Sequence, residues 1–282
     1  MSDSLLAALD RNAHVIAVEL RPPRARLGRS AGMDAWIDTY HAVRTLARRG
    51  VYVFLTDSAV GAEEEDNLRH LVANVGGDAP RSQVVPFLTA KHTLDYCLGY
   101  VDRAVEHGFR SLVVLGGDVS VGAPRCVPHA WQLRQVLRAR QPGLALGGWV
   151  NPHRNADAQL GYLRAPENTA EFALSQVVSH HDVARVEPLL DASRQGAVLP
   201  ILWGVFYYRS ANPATLRALQ QFLPVPVDGL TAEFRDGASS VDVCARTLRA
   251  LFDRGVRHVY ISNLPLAGAH TTLQEILKRA GV

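Results

Sequence analysis

One punctuation recurs along this chain: an amphipathic helical pattern ends in charged residues, a glycine follows, and a short apolar run begins. Arg48-Arg49-Gly50 leads into residues 51–56, Glu106-His107-Gly108 into 109–115, and Arg254-Gly255 into 256–263. Glycine just past a helix end is the usual left-handed stop. An apolar run without polar alternation then reads as a strand buried on both faces. In residues 111–118, Ser-Leu-Val-Val-Leu-Gly-Gly-Asp, the run closes on Gly116, Gly117 and Asp118. That carboxylate sits at the carboxyl end of its strand, where α/β folds keep their chemistry.

Strands are expected at 14–20, 52–56, 84–89, 111–115, 145–150, 172–178, 198–203 and 258–261. Helical patterns occupy 34–49, 63–75, 93–107, 128–140, 182–195, 213–223, 241–254 and 271–280. Strands alternating with helices, without a break in composition, predict an α/β fold: a single (β/α)8 TIM barrel domain over residues 1–282. A hydrophobic content of 48% is enough for such a core. The weakest unit is 155–170, where Pro166 and Asn168 interrupt any long helix.

No apolar run is long enough to span a membrane, and residues 1–11 do not read as a secretory signal. Cys97, Cys126 and Cys244 are too scattered for a disulfide framework, so a reduced cytoplasmic setting is expected. The net charge is +3, carried almost wholly by dispersed arginines, since Lys91 and Lys278 are the only lysines. Nucleic-acid binding needs basic groups clustered on one face, so none is expected. Self-association into a homo-oligomer is compatible with such a surface.

In a barrel the residues just past the strands share one rim. Here they are Glu19, Thr56, Asp57, Thr89, Lys91, His92, Asp118, Asn151, His153, Gln176, His180, His181, Phe206–Tyr208 and Asn263. Glu19 interrupts an apolar strand; buried, it stays protonated near neutrality as a general acid must, or it pairs with Arg21 or Arg24. Asp118 either binds a ligand's ring nitrogens or steers the next turn. Gln176 offers an amide donor and acceptor to a heterocycle edge, or to a neighbouring strand. Phe206 and Tyr207 are a shelf for a flat ring or part of the core. Adjacent histidines in a strand face opposite sides, and no ligand spacing surrounds His180-His181, His92 or His153, so no metal site is expected.

Taken together these positions resemble the methylenetetrahydrofolate reductase family, over residues 13–282 at low identity. Val18-Glu19-Leu20-Arg21-Pro22-Pro23 is similar to its Glu-Phe-Phe-Pro-Pro stretch, and Thr56-Asp57-Ser58-Ala59-Val60-Gly61 stands where it has Thr-Tyr-Gly-Ala-Gly-Gly. Pro86-Phe87-Leu88-Thr89 resembles Pro-His-Leu-Thr, and Leu115-Gly116-Gly117-Asp118 resembles Leu-Arg-Gly-Asp. Asn151-Pro152-His153 resembles Tyr-Pro-Glu, and Leu174-Ser175-Gln176 resembles Ile-Thr-Gln.

The resemblance implies a cytoplasmic oxidoreductase of one-carbon metabolism, on the route to methionine. It would reduce 5,10-methylenetetrahydrofolate to 5-methyltetrahydrofolate with NAD(P)H. By that resemblance Glu19 is the acid that protonates N5 of the folate. Asp118, Gln176, Thr56, Phe206 and Tyr207 contact the substrate, and Thr89, Gly117, Asn151 and His153 the cofactor. The family's FAD is implied too, yet the departures cluster where it would sit. The family's histidine is Phe87, its arginine is Gly116 and its tyrosine is Asn151; its basic pair and Gly-Ala turn are Ala165-Pro166 and Thr169-Ala170. Flavin phosphates want positive charge or backbone N–H groups. Three readings follow: direct hydride transfer without bound flavin, a flavin enzyme with altered contacts from Arg154 or Arg164, or a non-catalytic folate-binding homologue.

Overall fold

The computed structural model describes residues 4–11, 14–23, 27, 29–57, 67–74, 79–120 and 122–282. Its elements run α1 (Leu5–Asp10), β1 (Val15–Leu20), α2 (Arg29–Ala47), β2 (Tyr52–Leu55), α3 (Asn67–Asn74), β3 (Val84–Thr89) and α4 (Leu94–Glu106). They continue through β4 (Ser111–Leu115), α5 (Ala130–Arg140), β5 (Ala145–Val150), α6 (Ala156–Arg164), β6 (Phe172–Val178) and α7 (Glu187–Arg194). The chain ends with β7 (Ile201–Phe206), α8 (Pro213–Gln220), α9 (Val227–Arg235), α10 (Ser240–Phe252), β8 (His258–Ser262) and α11 (Ala269–Ala280). The strands pair in sequence order, all parallel, and β8 closes on β1. This is the expected (β/α)8 barrel.

The boundaries depart from expectation where tertiary packing overrides local pattern. Strand seven starts at Ile201 rather than 198, because Val198 and Leu199 precede Pro200 and only partly pack against the core. The stretch 155–170 does form a helix, α6: the Asn155 side chain caps it by accepting from Ala158 N at 2.9 Å, and it stops before Pro166. The helix expected at 182–195 opens as a 3-10 turn, Val183–Val186, before α7. Two short helices, α1 and α9, were not foreseen. Residues 58–61 of the reductase-like stretch 56–61, residues 63–66 and 75 of the second expected helix, and Arg24 lie outside the described residues.

Two cores follow from strand alternation. Side chains pointing outward pack beneath the helices, while Ala17, Phe54, Phe87, Leu174 and Tyr260 point inward and fill the barrel. Leu5 and Leu9 of α1 join that inner cluster, so α1 closes the amino-terminal end. Glycines make room for the interior aromatics. A Cβ on Gly147 would lie 2.5 Å from the Phe172 ring, and one on Gly204 would lie 2.5 Å from Tyr260 Oη. Gly108, at φ 81°, supplies the left-handed helix stop that the sequence predicts.

Candidate functional site

Glu19 faces the barrel interior. Its register partners are Phe54 on β2, which is part of the inner core, and Ser262 on β8. Ser262 Oγ donates to Glu19 Oε1 at 2.7 Å. Burial pushes the carboxyl above its ordinary range; the Ser262 bond and the Arg21 charge oppose that without cancelling it. No described arginine forms an ion pair with it, so the environment at the carboxyl-terminal end of the barrel favours the protonated acid over the carboxylate.

The residue facing it was not foreseen. Trp149 on β5 pairs in register with Leu174, an inner-core residue, so its side chain also points inward. It nevertheless keeps 39% of its surface exposed, as a side chain at an open mouth does. Strands β1 and β5 are four steps apart either way around an eight-stranded barrel, so Trp149 stands across the mouth from Glu19. The alternation Gly147, Trp149 on one face and Gly148, Val150 on the other carried the signal in Ala-Leu-Gly-Gly-Trp-Val.

Gln176 sits on a β-bulge. Leu174 pairs with Leu202 and Val177 with Gly204, so Ser175 and Gln176 together oppose Trp203. Ser175 Oγ accepts from Gly204 N at 2.9 Å, replacing a ladder bond, and Gln176 Oε1 accepts from Val177 N at 2.9 Å. Bulges beside sites re-aim side chains in this way. With Oε1 engaged locally, the amide's remaining offer is its Nε2 donor.

Asp57 organises the rim beside β3. Its Oδ2 accepts from Thr89 N at 2.7 Å, from Thr89 Oγ1 at 2.9 Å and contacts His92 Nε2 at 2.8 Å. The polar groups of Thr89 are therefore turned into the rim. Thr56, just past β2, is anchored by its backbone N–H to Leu20 O at 3.0 Å.

Asp118 lies on the same end of the barrel as Glu19, past β4. Its Oδ1 accepts from Ser120 N at 2.8 Å and Ser120 Oγ at 2.7 Å, and these bonds hold its carboxyl below the usual range. The turn-forming alternative is thus realised. Gly117 is left-handed at φ 72°. Arg125 Nε donates to Gly117 O at 3.1 Å, and its guanidinium carbon lies 2.8 Å from where a Gly116 Cβ would be. A cation therefore covers Gly116 from the following loop.

Asn151 and His153 bond mainly to each other's surroundings. Asn151 Oδ1 accepts from His153 N at 3.0 Å, and His153 Nε2 lies 2.9 Å from Val177 O. Arg154 stays at the turn after β5, but Arg164 ends α6 and reaches Ala197 O before β7. Because α6 runs away from the rim, Arg164 belongs to the opposite end of the barrel. Phe206 packs on Tyr208, with centroids 4.9 Å apart, in a small core under α8, α9 and α10. Tyr207 turns the other way into the outer core. The two rings do not share a face.

The reasoning about paired histidines fails here. His180 and His181 lie beyond β6 in a turn, where strand alternation does not apply, and their rings are 4.1 Å apart. Burial pushes the Cys97 thiol up to about 12 and the Cys244 thiol higher still, so neither is a ready nucleophile.

No protein-family model matches the sequence, and no curated protein does. Solved structures do share its shape. An uncharacterized protein from Clostridium thermocellum, which binds two copies of 5-methyl-5,6,7,8-tetrahydrofolic acid, superposes with a TM-score of 0.68 at 15% identity, over 98% of this chain and 97% of its own. The barrel is shared; the likeness carries nothing finer. A 2,3-dimethylmalate lyase of the PEP mutase/isocitrate lyase superfamily gives a TM-score of 0.52 at 13% identity, over 99% of this chain and 86% of its own. The UMP synthase of Leishmania donovani gives 0.50 at 15% identity, over 98% of this chain and 57% of its own. No described helix is long and apolar enough to cross a membrane.

Proposed function

We propose that this barrel binds a reduced folate in its carboxyl-terminal mouth and reduces 5,10-methylenetetrahydrofolate to 5-methyltetrahydrofolate with a hydride from NAD(P)H. The observation that carries the reading is Glu19: a carboxyl at the mouth whose pKa is raised by desolvation, oriented by Ser262 and faced by an open tryptophan. The ligand of the Clostridium thermocellum protein, on the same barrel, supports the substrate class.

Bond accounting decides which nitrogen takes the proton. To leave a methyl group on N5, the bond between the methylene carbon and N10 must break. Glu19 therefore protonates N10, not N5, as that bond opens to the N5 iminium ion. Hydride from the nicotinamide then adds to the iminium carbon, giving the N5 methyl group and NAD(P)+. Solvent returns a proton to Glu19. Trp149 supplies a face for a flat ring, Gln176 an amide donor, and the barrel holds donor and acceptor rings together, which is proximity catalysis.

The positions that would hold a flavin fit it poorly. Thr89 is turned onto Asp57 and Asn151 receives His153, although Arg125 returns one cation to the place of the family's arginine at Gly116. What they support is hydride transfer without a bound flavin. Purified protein should be colourless and should oxidise NADH or NADPH when given 5,10-methylenetetrahydrofolate. Failure to do so with and without added FAD would defeat the reductase reading. Yellow protein that needs FAD would replace it with the flavin-dependent one. Calorimetric binding of 5-methyltetrahydrofolate with no turnover would leave a folate-binding protein.

A further inference from the structure

A second cluster of chemistry-bearing side chains stands on the shoulder of the rim, apart from the mouth. His180 and His181 follow β6 and Glu233 lies near the end of α9; one ligand atom from each falls within 4.8 Å of the others. Both Nε2 atoms converge on one oxygen, Glu233 Oε1, at 2.8 Å from His180 and 2.6 Å from His181. The second oxygen, Oε2, is held by Arg246 of α10.

The far side of the His180 ring sets where its proton lies. Thr247 Oγ1 donates its single hydrogen to Val243 O at 3.2 Å. With the hydroxyl so engaged it accepts at its 2.9 Å contact with His180 Nδ1, an arrangement that assigns the ring hydrogen to Nδ1. A neutral His180 then turns a bare Nε2 lone pair toward a carboxylate oxygen. Two lone pairs at that distance repel unless a proton or a metal ion joins them. One ring nitrogen donating outward while the other offers its lone pair is how metal-ligating histidines are oriented.

His181 is seated just as specifically. Its ring lies against Gly229 of α9, where a Cβ would come within 2.5 Å of Cε1. Beside it opens a cavity of about 560 Å3, lined by His181, Gln220, Val225, Pro226, Asp228 and Gly229 among others. Two imidazoles and a carboxylate form the ligand set of zinc sites that keep a position open.

We propose that His180 Nε2, His181 Nε2 and Glu233 Oε1 bind a divalent transition-metal ion of the zinc class, with the remaining position open to water or a small anion from that cavity. Tetrahedral metal–ligand bonds of ~2.0–2.2 Å put neighbouring ligand atoms about 3.3–3.6 Å apart. Each ring nitrogen would have to move out from its present contact with Glu233 Oε1 by less than about 1 Å. The site is independent of the folate reading and stands whether or not that reading does.

The test uses the untagged full-length chain, stripped with a chelator and titrated with Zn2+ by calorimetry, then with Co2+ by visible absorption. One zinc per chain and cobalt ligand-field bands are expected, with a higher Tm in zinc. His181→Ala and Glu233→Gln should weaken zinc binding by at least about tenfold, as should Thr247→Val, which removes only the outer hydrogen bond. Stripped wild type that melts cooperatively but takes up neither ion overturns the proposal, leaving an ion-pair network with Arg246. Wild-type affinity in folded His181→Ala and Glu233→Gln overturns it as well. Should those variants not fold, the cobalt spectrum of the wild type decides: bands of nitrogen-ligated cobalt support the site, and the spectrum of hydrated cobalt refutes it.

Discussion

Ser262 Oγ donates a 2.7 Å hydrogen bond to Glu19 Oε1, and the two residues are register partners at the seam where β8 closes on β1. The barrel's closure thus orients the carboxyl on its first strand. Desolvation in that position raises the carboxyl's pKa, because the charged form loses more than the neutral one when water is partly excluded.

Glu19→Gln keeps the shape and removes the proton. Loss of one general acid should lower kcat by roughly 10²–10⁴, while calorimetric affinity for 5-methyltetrahydrofolate stays near wild type. An unchanged kcat would take Glu19 out of the mechanism.

Ser262→Ala removes an interaction that lowers the Glu19 pKa. The working form is the acid, so the rate falls as pH rises through that pKa. The variant's falling limb should therefore move to higher pH in a profile of kcat/KM. A limb displaced to lower pH would contradict the assignment.

Trp149→Ala should weaken reduced-folate binding by about 3–10-fold, the worth of one aromatic stacking contact of roughly 0.5–1.5 kcal/mol. Its partial exposure means that the fold itself should lose little. Titration calorimetry and urea denaturation of the same variant separate the two effects.

Gly204→Ala places a methyl group against Tyr260 Oη, which donates to Ser175 O at 2.6 Å. Both groups are inside the packed barrel, so the change should cost about 1–3 kcal/mol in urea-unfolding stability. A neutral result would mean that the interior repacks freely at this level.

His258, at the start of β8, is held neutral: burial lowers its pKa to about 4, with help from His14 and Arg257. Its ordinary value is 6.5, so the unfolded chain takes up the proton first as pH drops. The stability it contributes is present above about 6.5 and is lost as pH falls through about 4. His258→Gln should flatten that part of the Tm profile between pH 7 and 4, within about the range set by this shift. An unaltered acid slope would assign the loss to other groups.

Much of the barrel was legible because its signals are local. Gly108 stops a helix by its own backbone freedom, and residues 111–115 announce a doubly buried strand by lacking polar alternation. The same locality explains the errors. Pro200 was read inside a strand because its neighbours are apolar, and α6 was discounted because a later proline ends it without preventing it. His180-His181 was read by a strand rule although the strand had ended at Val178. Glu19 stood out as a carboxylate in an apolar run, whereas nothing singled out Trp149, because exposure is not a property of sequence.

The sequence by itself determined the alternation of strand and helix, the burial of the strands on both faces, and the presence of an acid on the first. Those depend on backbone preferences and side-chain periodicity within a few residues. Only the tertiary structure decided that Glu19 meets Ser262, 243 positions away, that Trp149 faces the same mouth, and that two histidines share Glu233. Such meetings are set by strand register and by closure of the sheet on itself, and no local pattern encodes either.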